Sequence, residues 1–239
     1  MARPYALLSL TAALLLSGGA QAHQLWLEQT AASAHLYYGE FDRNLREASP
    51  GRLDKLTPPT AAIAGGASGK ALTLTREANA FALSARAGKD ETIFVEEAAS
   101  PVVEYKVNDV PTRAARTLAA RLITSDAQQA PKLTLDLLPT GKPGEFRVYY
   151  KGQPLAKTRV GIIVQSGWAR EARSDDQGIV KFDLPWKGSY VLEVRHADKT
   201  PGERAGRPYD VANFMTTLSL TRDEGLDPLP AHPPAIPGK

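Results

Sequence analysis

Residues 178–196 read GIVKFDLPWKGSYVLEVRH, and this stretch is the clearest indicator of the fold. Apolar and polar residues alternate over 178–184 and again over 189–196, and Lys187 and Gly188 supply a turn between the two segments. A two-residue period is typical of strands that bury one face. The stretch therefore predicts two β-strands joined by a short connection.

The same alternation recurs along most of the chain, interrupted by glycine, proline and aspartate. Short strands at regular spacing are typical of a β-sandwich. The further predicted strands are residues 24–29, 34–38, 71–75, 80–85, 92–96, 132–138, 145–150, 159–165 and 214–220. We predict an all-β protein with two β-sandwich-like parts of immunoglobulin or transthyretin type.

One segment departs from this pattern. Residues 111–125, PTRAARTLAARLITS, are rich in alanine, leucine and arginine, and Pro111 suits the first turn of a helix. We predict one helix here that connects the two parts. Its arginines, Arg113, Arg116 and Arg121, are interpreted as a solvated helix face rather than an anion site.

The N-terminus has the features of a secretory signal. Arg3 provides a positive start, residues 6–16 are an apolar run, and Ala20-Gln21-Ala22 has the small-x-small form of a cleavage site. We predict a signal peptide over 1–22 and a periplasmic product. Beyond residue 22 no apolar run approaches the ~20 residues of a transmembrane helix.

The remainder of the chain divides into three predicted regions. We expect an N-terminal β domain over 23–127, a C-terminal β-sandwich over 131–222 and a proline-rich tail over 223–239, extended or disordered. Within the first domain, residues 39–59 are charged, contain three prolines and predict a long loop. Long loops in compact domains are often functional.

Composition excludes several kinds of site. The chain has no cysteine, so thiolate ligands, nucleophiles and redox groups are absent. Met215 is the only methionine after residue 22, which excludes a methionine-rich Cu(I) site. The formal net charge of +3 is scattered without a basic stripe, so nucleic acid is not an expected partner. Motifs of serine or cysteine catalysis are also missing.

Cleavage after Ala22 would leave His23 at the N-terminus. A terminal histidine offers its α-amine and imidazole Nδ1, which together close a chelate ring on a metal ion. One more histidine nitrogen would complete a histidine brace, which suits Cu(II) and could accept Ni(II) or Co(II) with added oxygen ligands. The alternative is that cleavage simply leaves a frayed, inert terminus. Trp26 in the following strand favours an ordered start.

Three other histidines and one carboxylate are candidates for completing this site. His196 ends a predicted strand beside an open loop, although it could be an ordinary surface histidine. His35 is interpreted as a solvent-facing strand residue, and His232 lies in the tail. Glu40, at the start of the long loop, could add an oxygen ligand or be an exposed charge.

Four short motifs together resemble the DUF4198 family of secreted bacterial proteins: HQLWLE, YYGEF, DDQGIVKFDLPWKGSYVLEVRH and NFMTTLSL. The residues on matching positions are His23, Trp26, Glu28, Gly39, Glu40, Phe41, Asp175, Gly178, Gly188, Tyr190, His196 and Leu218. The chain departs from the family pattern at Gln29, where proline is usual, and at Asp42.

The resemblance implies handling of a divalent metal, with accessory proteins of nickel or cobalt uptake as the nearest named function. It also favours His196 over His35 as the partner of His23, because both His23 and His196 match. The implied partner is a metal-uptake transporter. Nickel or cobalt follows from the family, whereas copper follows from the brace chemistry, because affinity generally peaks at Cu²⁺.

Two alternatives to metal delivery or buffering remain open. The first is a copper-dependent oxygenase similar to lytic polysaccharide monooxygenases, which also begin with histidine on a β-sandwich; against it, the sequence shows no aromatic signature of a polysaccharide surface. The second is a non-catalytic β-sandwich module that binds carbohydrate or protein, or that is purely structural.

Overall fold

The structure is a computed structural model and describes residues 23–65 and 68–237. The predicted signal peptide lies outside the described residues. Twenty strands account for most of the described chain, and the all-β prediction is confirmed. Two short 3₁₀ helices, Phe41–Arg43 and Arg52–Lys55, lie in the segment predicted as a long loop.

The strands, in chain order, are β1 Gln24–Gln29, β2 Ala34–Glu40, β3 Leu45–Arg46, β4 Thr60–Gly65, β5 Ser68–Leu72, β6 Leu74–Arg76, β7 Phe81–Leu83, β8 Thr92–Glu97, β9 Val103–Val107, β10 Val110–Ile123, β11 Leu135–Pro139, β12 Glu145–Tyr150, β13 Gln153–Pro154, β14 Arg159–Val164, β15 Ala169–Arg173, β16 Ile179–Lys181, β17 Gly188–Asp198, β18 Gly202–Arg204, β19 Arg207–Tyr209 and β20 Val211–Arg222.

A nine-stranded sheet forms the middle of the molecule. Its order is β15-β14-β17-β20-β10-β8-β4-β5, and β9 pairs with the first half of β10. The two longest central strands, β10 and β20, pair in parallel, with Ala114 opposite Val211 and Leu122 opposite Ser219. The predicted N-terminal and C-terminal parts therefore both contribute strands to one sheet, and their independence as domains stays a prediction.

Smaller sheets cover the two faces of this central sheet. A five-stranded sheet, β1-β2-β7-β6 with β3 beside β2, packs on one face, and a four-stranded sheet, β11-β12-β13 with β16 beside β12, packs on the other. The first core contains Leu25 and Leu118, and the second contains Phe146 and Leu192. Each inner strand contributes alternate side chains to one core, as the pleat requires.

Strand β1 is seated on the central sheet through its backbone. The Thr217 hydroxyl on β20 donates to the Leu25 carbonyl at 2.6 Å, and the Leu27 amide donates to the Ser219 hydroxyl at 3.3 Å. The backbone of β1, which pairs with β2 in its own sheet, is therefore hydrogen-bonded to side chains on one face of β20. Trp26, fully buried, packs on the other side of β1 from Leu25, against Val191.

The prediction of a helix over 111–125 is wrong, because residues 110–123 form β10 and residues 124–125 lie in a bend. The position of β10 as a central strand, bonded to β8 and β9 on one side and β20 on the other, explains the sequence. A strand covered on both faces reads as a nearly continuous apolar run rather than an alternation. Ala115 and Ala120 are fully buried on opposite faces, where small side chains let both covering layers approach. Tertiary packing here overrides intrinsic helix propensity.

The interpretation of the three arginines as a solvated face is wrong for Arg121, whereas Arg116 is exposed on the strand and Arg113 is 44% exposed. Arg121 is 0% exposed and makes a bidentate pair with Asp136 on β11, at 2.8 and 2.7 Å. Asp136 also accepts from the backbone amides of Lys132, Leu133 and Leu137. A buried charge is tolerated when it is paired and hydrogen-bonded, and both partners meet that condition.

The described part of the proline-rich tail, residues 223–237, forms two isolated β-bridges with the rest of the protein. Leu226 bridges to Trp186, and Ala235 bridges to Leu45. Backbone hydrogen bonds from the Lys187 amide to the Leu226 carbonyl and from the Ala235 amide to the Asn44 carbonyl accompany these bridges, and the extended form of the tail stays a prediction. Among the described residues no helix is both long and apolar enough to cross a membrane.

Candidate functional site

His23 lies immediately before β1, at the point where that strand meets β2. The last backbone pair of the two strands is Gln24 with Gly39. The imidazole of His23 is largely enclosed, with 10% of its side chain exposed, and its ring centre is 5.1 Å from that of Tyr38. The seating of β1 on β20 therefore fixes the position of His23.

Glu47 is the side chain that holds the ring of His23. Its Oε1 is in a short hydrogen bond with Nε2 of His23, and the carboxylate is 1% exposed. The amide of Glu47 donates to the Tyr38 carbonyl, which continues the pairing of β3 with β2. The second carboxylate oxygen, Oε2, is buried and has no hydrogen-bond partner among the described residues.

This contact determines which ring nitrogen is available to a metal. A carboxylate accepts hydrogen bonds, so Nε2 of a neutral His23 carries the proton and Nδ1 carries the lone pair. Nδ1 is the nitrogen that can close a chelate ring with the α-amine of the same residue. Carboxylates that orient metal-bound histidines through the other ring nitrogen are common and raise the basicity of the ligand.

Glu40 is the nearest predicted oxygen ligand in the strand register. It lies one residue past the pair of Gln24 with Gly39, so continuing the register by one step places it opposite His23. Its carboxylate is mostly buried, at 8% exposed, and is 3.3 Å from Nε of Arg43. Arg43 would compete with a metal ion for this carboxylate.

His196 occupies a different part of the molecule. It follows Tyr190, Leu192 and Val194 in the alternation of β17, and these side chains face the second core. Its ring is 4.4 Å from that of Tyr150. Burial lowers the pKa of His196, and nearby Lys151 lowers it further, whereas Asp198 opposes the shift.

The predicted pairing of His23 with His196 is not present in this arrangement. The ring of His23 packs on Tyr38, which belongs with the first core, and the ring of His196 packs on Tyr150, which belongs with the second. The nine-stranded sheet lies between these two cores. Strand alternation is the physical reason. Even-numbered residues of β17, His196 among them, lie on the side of the second core, whereas odd-numbered residues such as Val191 face β1.

The other two histidines also lie away from His23. His35 pairs with Glu28 near the far end of β1, and its Nε2 is 3.4 Å from Glu77. The backbone of His232 in the tail accepts from the Asn44 side chain at 2.8 Å and donates to the Gln165 carbonyl. Across residues 23–65 and 68–237, no three histidine, aspartate or glutamate side chains converge as a metal site.

Sequence reasoning missed Glu47. Nothing in its local pattern distinguishes it from the other charges of the segment 39–59, and its role depends on the pairing of β3 with β2. That short strand has two residues and no hydrophobic alternation, so periodicity could not reveal it. The prediction that this long segment is functional was the available signal.

Comparison with known families gives a match over most of the chain. The model of DUF4198, a domain of unknown function, matches residues 20–198. The chain belongs to the DUF4198 family. The matched range begins just before His23 and ends just after His196, at the last residue of β17. No curated protein and no solved structure matches this DUF4198 chain.

Proposed function

We propose that this DUF4198 protein is a periplasmic carrier of a divalent transition metal, held at a cleaved N-terminal histidine. His23 would supply its α-amine and Nδ1, and Glu40 is the candidate for an oxygen ligand. Copper, nickel and cobalt all accept this nitrogen-rich donor set. Delivery to an uptake transporter, or buffering of the metal, is the proposed use.

The contact between His23 and Glu47 carries the proposal. A buried carboxylate is costly unless a positive group faces it. A metal ion bound to Nδ1 would place positive charge on the ring whose Nε2–H Glu47 accepts, so metal binding would compensate the burial of this carboxylate. The same contact keeps the ring in one orientation before binding, which reduces the entropy lost when the metal binds.

The residues present fit such a group in part. Two nitrogens and a nearby carboxylate provide fewer protein ligands than a closed structural site has, and solvent or a partner would complete the coordination. This is the coordination expected of a carrier that must release its metal. His196 is not included, because its ring lies in the other core.

Metal titration of protein secreted from the full-length gene tests the proposal. Intact mass should show a chain that starts at His23, and calorimetry should show one tight Cu(II) or Ni(II) equivalent. Glu47→Gln should weaken binding by about 10- to 100-fold, because it removes the carboxylate that orients the ring. Affinity should also fall with falling pH, because the α-amine, with an ordinary pKa of about 7.7–8.0, must lose its proton to bind.

His35→Ala is the matched control, since this histidine also lies on the β1–β2 pair but at its other end. It should leave the tight equivalent unchanged, whereas His23→Ala should abolish it. A chain cut elsewhere, or equal binding by the His23→Ala and His35→Ala variants, would refute the N-terminal chelate.

A second candidate function, a binding module, is favoured by an aromatic hollow over the second core. Trp168 and Trp186 meet edge to face with ring centres 4.8 Å apart, and the guanidinium of Arg170 lies 5.4 Å from the ring centre of Trp168. The hollow, about 590 Å³, is also lined by Glu171 and Asp183. Aromatic walls with a polar rim suit a ligand such as a sugar ring, which has an apolar face and hydroxyl edges.

Tryptophan fluorescence during titration with a panel of neutral oligosaccharides tests this second candidate. Saturable quenching that Trp168→Ala removes would support it. Unchanged fluorescence across the panel would count against carbohydrate as the ligand of this hollow.

A further inference from the structure

Among the strands of three or more residues in the described chain, β9 differs from the others in its exposure. All five of its residues are solvent-exposed. Four of the seven exposed large hydrophobic side chains of the described chain lie in the β9–β10 hairpin: Val103 at 54%, Tyr105 at 42%, Val107 at 45% and Val110 at 61%. Natural proteins usually protect such an edge, so an exposed apolar edge strand calls for a partner.

The turn of this hairpin determines which backbone groups face its free edge. Asn108 and Asp109 both have left-handed φ angles, 48° and 63°, as in a two-residue type I′ turn. Such a turn is flanked by a hydrogen-bonded pair, here Val107 with Val110. The next pair, Lys106 with Pro111, is then a non-hydrogen-bonded pair, which agrees with the missing N–H of proline.

It follows that the backbone N–H and C=O groups of Glu104 and Lys106 point away from β10. No other strand of the described residues pairs with β9 on that side, and no backbone hydrogen bond involves these groups. The free edge thus offers two donors and two acceptors, spaced as an incoming antiparallel strand requires.

The sequence of β9, VEYKV, is complementary to itself when reversed. In an antiparallel pair of two such strands centred on Tyr105, Glu104 lies opposite Lys106 of the second copy, and Lys106 lies opposite its Glu104. Val103 lies opposite Val107 of the second copy, so six apolar side chains form one row on the other face. Opposite charges and apolar pairs across strands are each stabilising.

Other two-fold registers that keep the outward backbone groups paired are disfavoured by charge. Centring the pair on Glu104 places two glutamates directly opposite each other, and centring it on Lys106 places two lysines opposite each other. Like charges directly opposite are destabilising. Of the registers centred on Glu104, Tyr105 and Lys106, only the one centred on Tyr105 satisfies both the backbone hydrogen bonds and the charges, and it pairs all five residues of β9.

We infer that this protein forms a two-fold homodimer through antiparallel pairing of β9 with β9 of a second copy, which joins two nine-stranded sheets edge to edge. The backbone contributes four hydrogen bonds, two from each exchange of Glu104 with Lys106. Pairing of five residues per partner is small compared with the ~800 Å² per partner of stable complexes, so the dimer dissociates on dilution.

Sedimentation of the secreted protein over a concentration series tests this inference. Wild type should pass reversibly from monomer to dimer as concentration rises. Glu104→Lys would place lysine opposite lysine, and Lys106→Glu would place glutamate opposite glutamate, so each variant alone should remain monomeric. Lys70→Glu is the matched control, because it makes the same charge change on β5, the edge strand of the same sheet, and should dimerise as wild type does.

A mixture of the two single variants gives the decisive result. Every cross-strand charge pair between a Glu104→Lys chain and a Lys106→Glu chain is again of opposite sign, so the mixture should form a heterodimer, and the double variant E104K/K106E should regain the homodimer. Circular dichroism confirms that each variant is folded. Wild type that stays monomeric at all concentrations, single variants that dimerise as well as wild type, or a mixture that stays monomeric would overturn the inference.

Discussion

Single residues carry the polar interactions between the layers of this molecule. Arg121 is the clearest case, because its guanidinium connects β10 of the central sheet to Asp136 of the covering sheet and also donates to Thr92 at 3.0 Å. Glu47 plays a similar part beside His23, although one of its oxygens has no hydrogen-bond partner in the described chain. Buried groups of this kind are costly to disturb, since water cannot replace a lost partner.

Arg121→Leu should therefore destabilise the protein by about 3–5 kcal/mol, because it leaves Asp136 buried without its cation. Arg159→Leu is a suitable control, since the pair of Arg159 with Glu171, at 3.2 Å, is exposed on both sides. That substitution should cost about 0–1 kcal/mol. Urea unfolding curves of both variants provide the measurement, and equal losses would contradict the assignment of Arg121 as a buried anchor.

At the scale of the strand, the regularity with which apolar and polar residues alternate decides which strands can be predicted from the sequence. β1 and β12 were predicted with their observed bounds, because each alternates clearly and ends at turn residues. β10 was predicted as a helix, because a strand buried on both faces loses the two-residue period that identifies strands. β9 was missed, although its residues VEYKV alternate as those of a strand do.

The identity of β10 as a central strand has a direct test in Ala120. Leucine has high helix propensity and would be tolerated on an exposed helix, but Ala120 is fully buried between layers. Ala120→Leu should lower the free energy of unfolding by about 1–3 kcal/mol through overpacking. Ala169→Leu on the exposed edge strand β15 makes the same substitution and should change it by at most about 0.5 kcal/mol. Denaturant midpoints that fall equally in both variants would contradict this packing.

At the scale of the whole molecule, the central sheet joins segments that the sequence places far apart. The fold class could be predicted because alternation is a local signal, and the cleavage motif, also local, is the reason His23 stays the candidate ligand. The sequence could not reveal that His196 faces away from His23, since that depends on which parity of β17 points toward β1. It also could not reveal the parallel pairing of β10 with β20, which no local pattern encodes.

This shared sheet predicts that the two halves unfold together. Trp26 belongs to the N-terminal half and packs against Val191 of the C-terminal half, while Trp168 and Trp186 lie within the C-terminal half. Two variants are compared: Trp26→Phe, and one that retains only Trp26. In each variant, the urea transition followed by tryptophan fluorescence should coincide with the transition followed by far-ultraviolet circular dichroism. Fluorescence transitions that separate from the dichroism transition in either variant would show that the halves are independent domains.

The support of β1 by β20 has a consequence for the order in which the molecule assembles. The hydroxyls of Thr217 and Ser219 that hold β1 each lie 192 residues from their partners in the chain. A polypeptide is made from its N-terminus, so β1 emerges long before β20, the strand on which it rests. Contacts of such long sequence separation form late and slowly. The first residue predicted for the mature protein thus reaches its final surroundings only after β20 has been made, and a chain truncated before β20 would carry His23 without the support that fixes it.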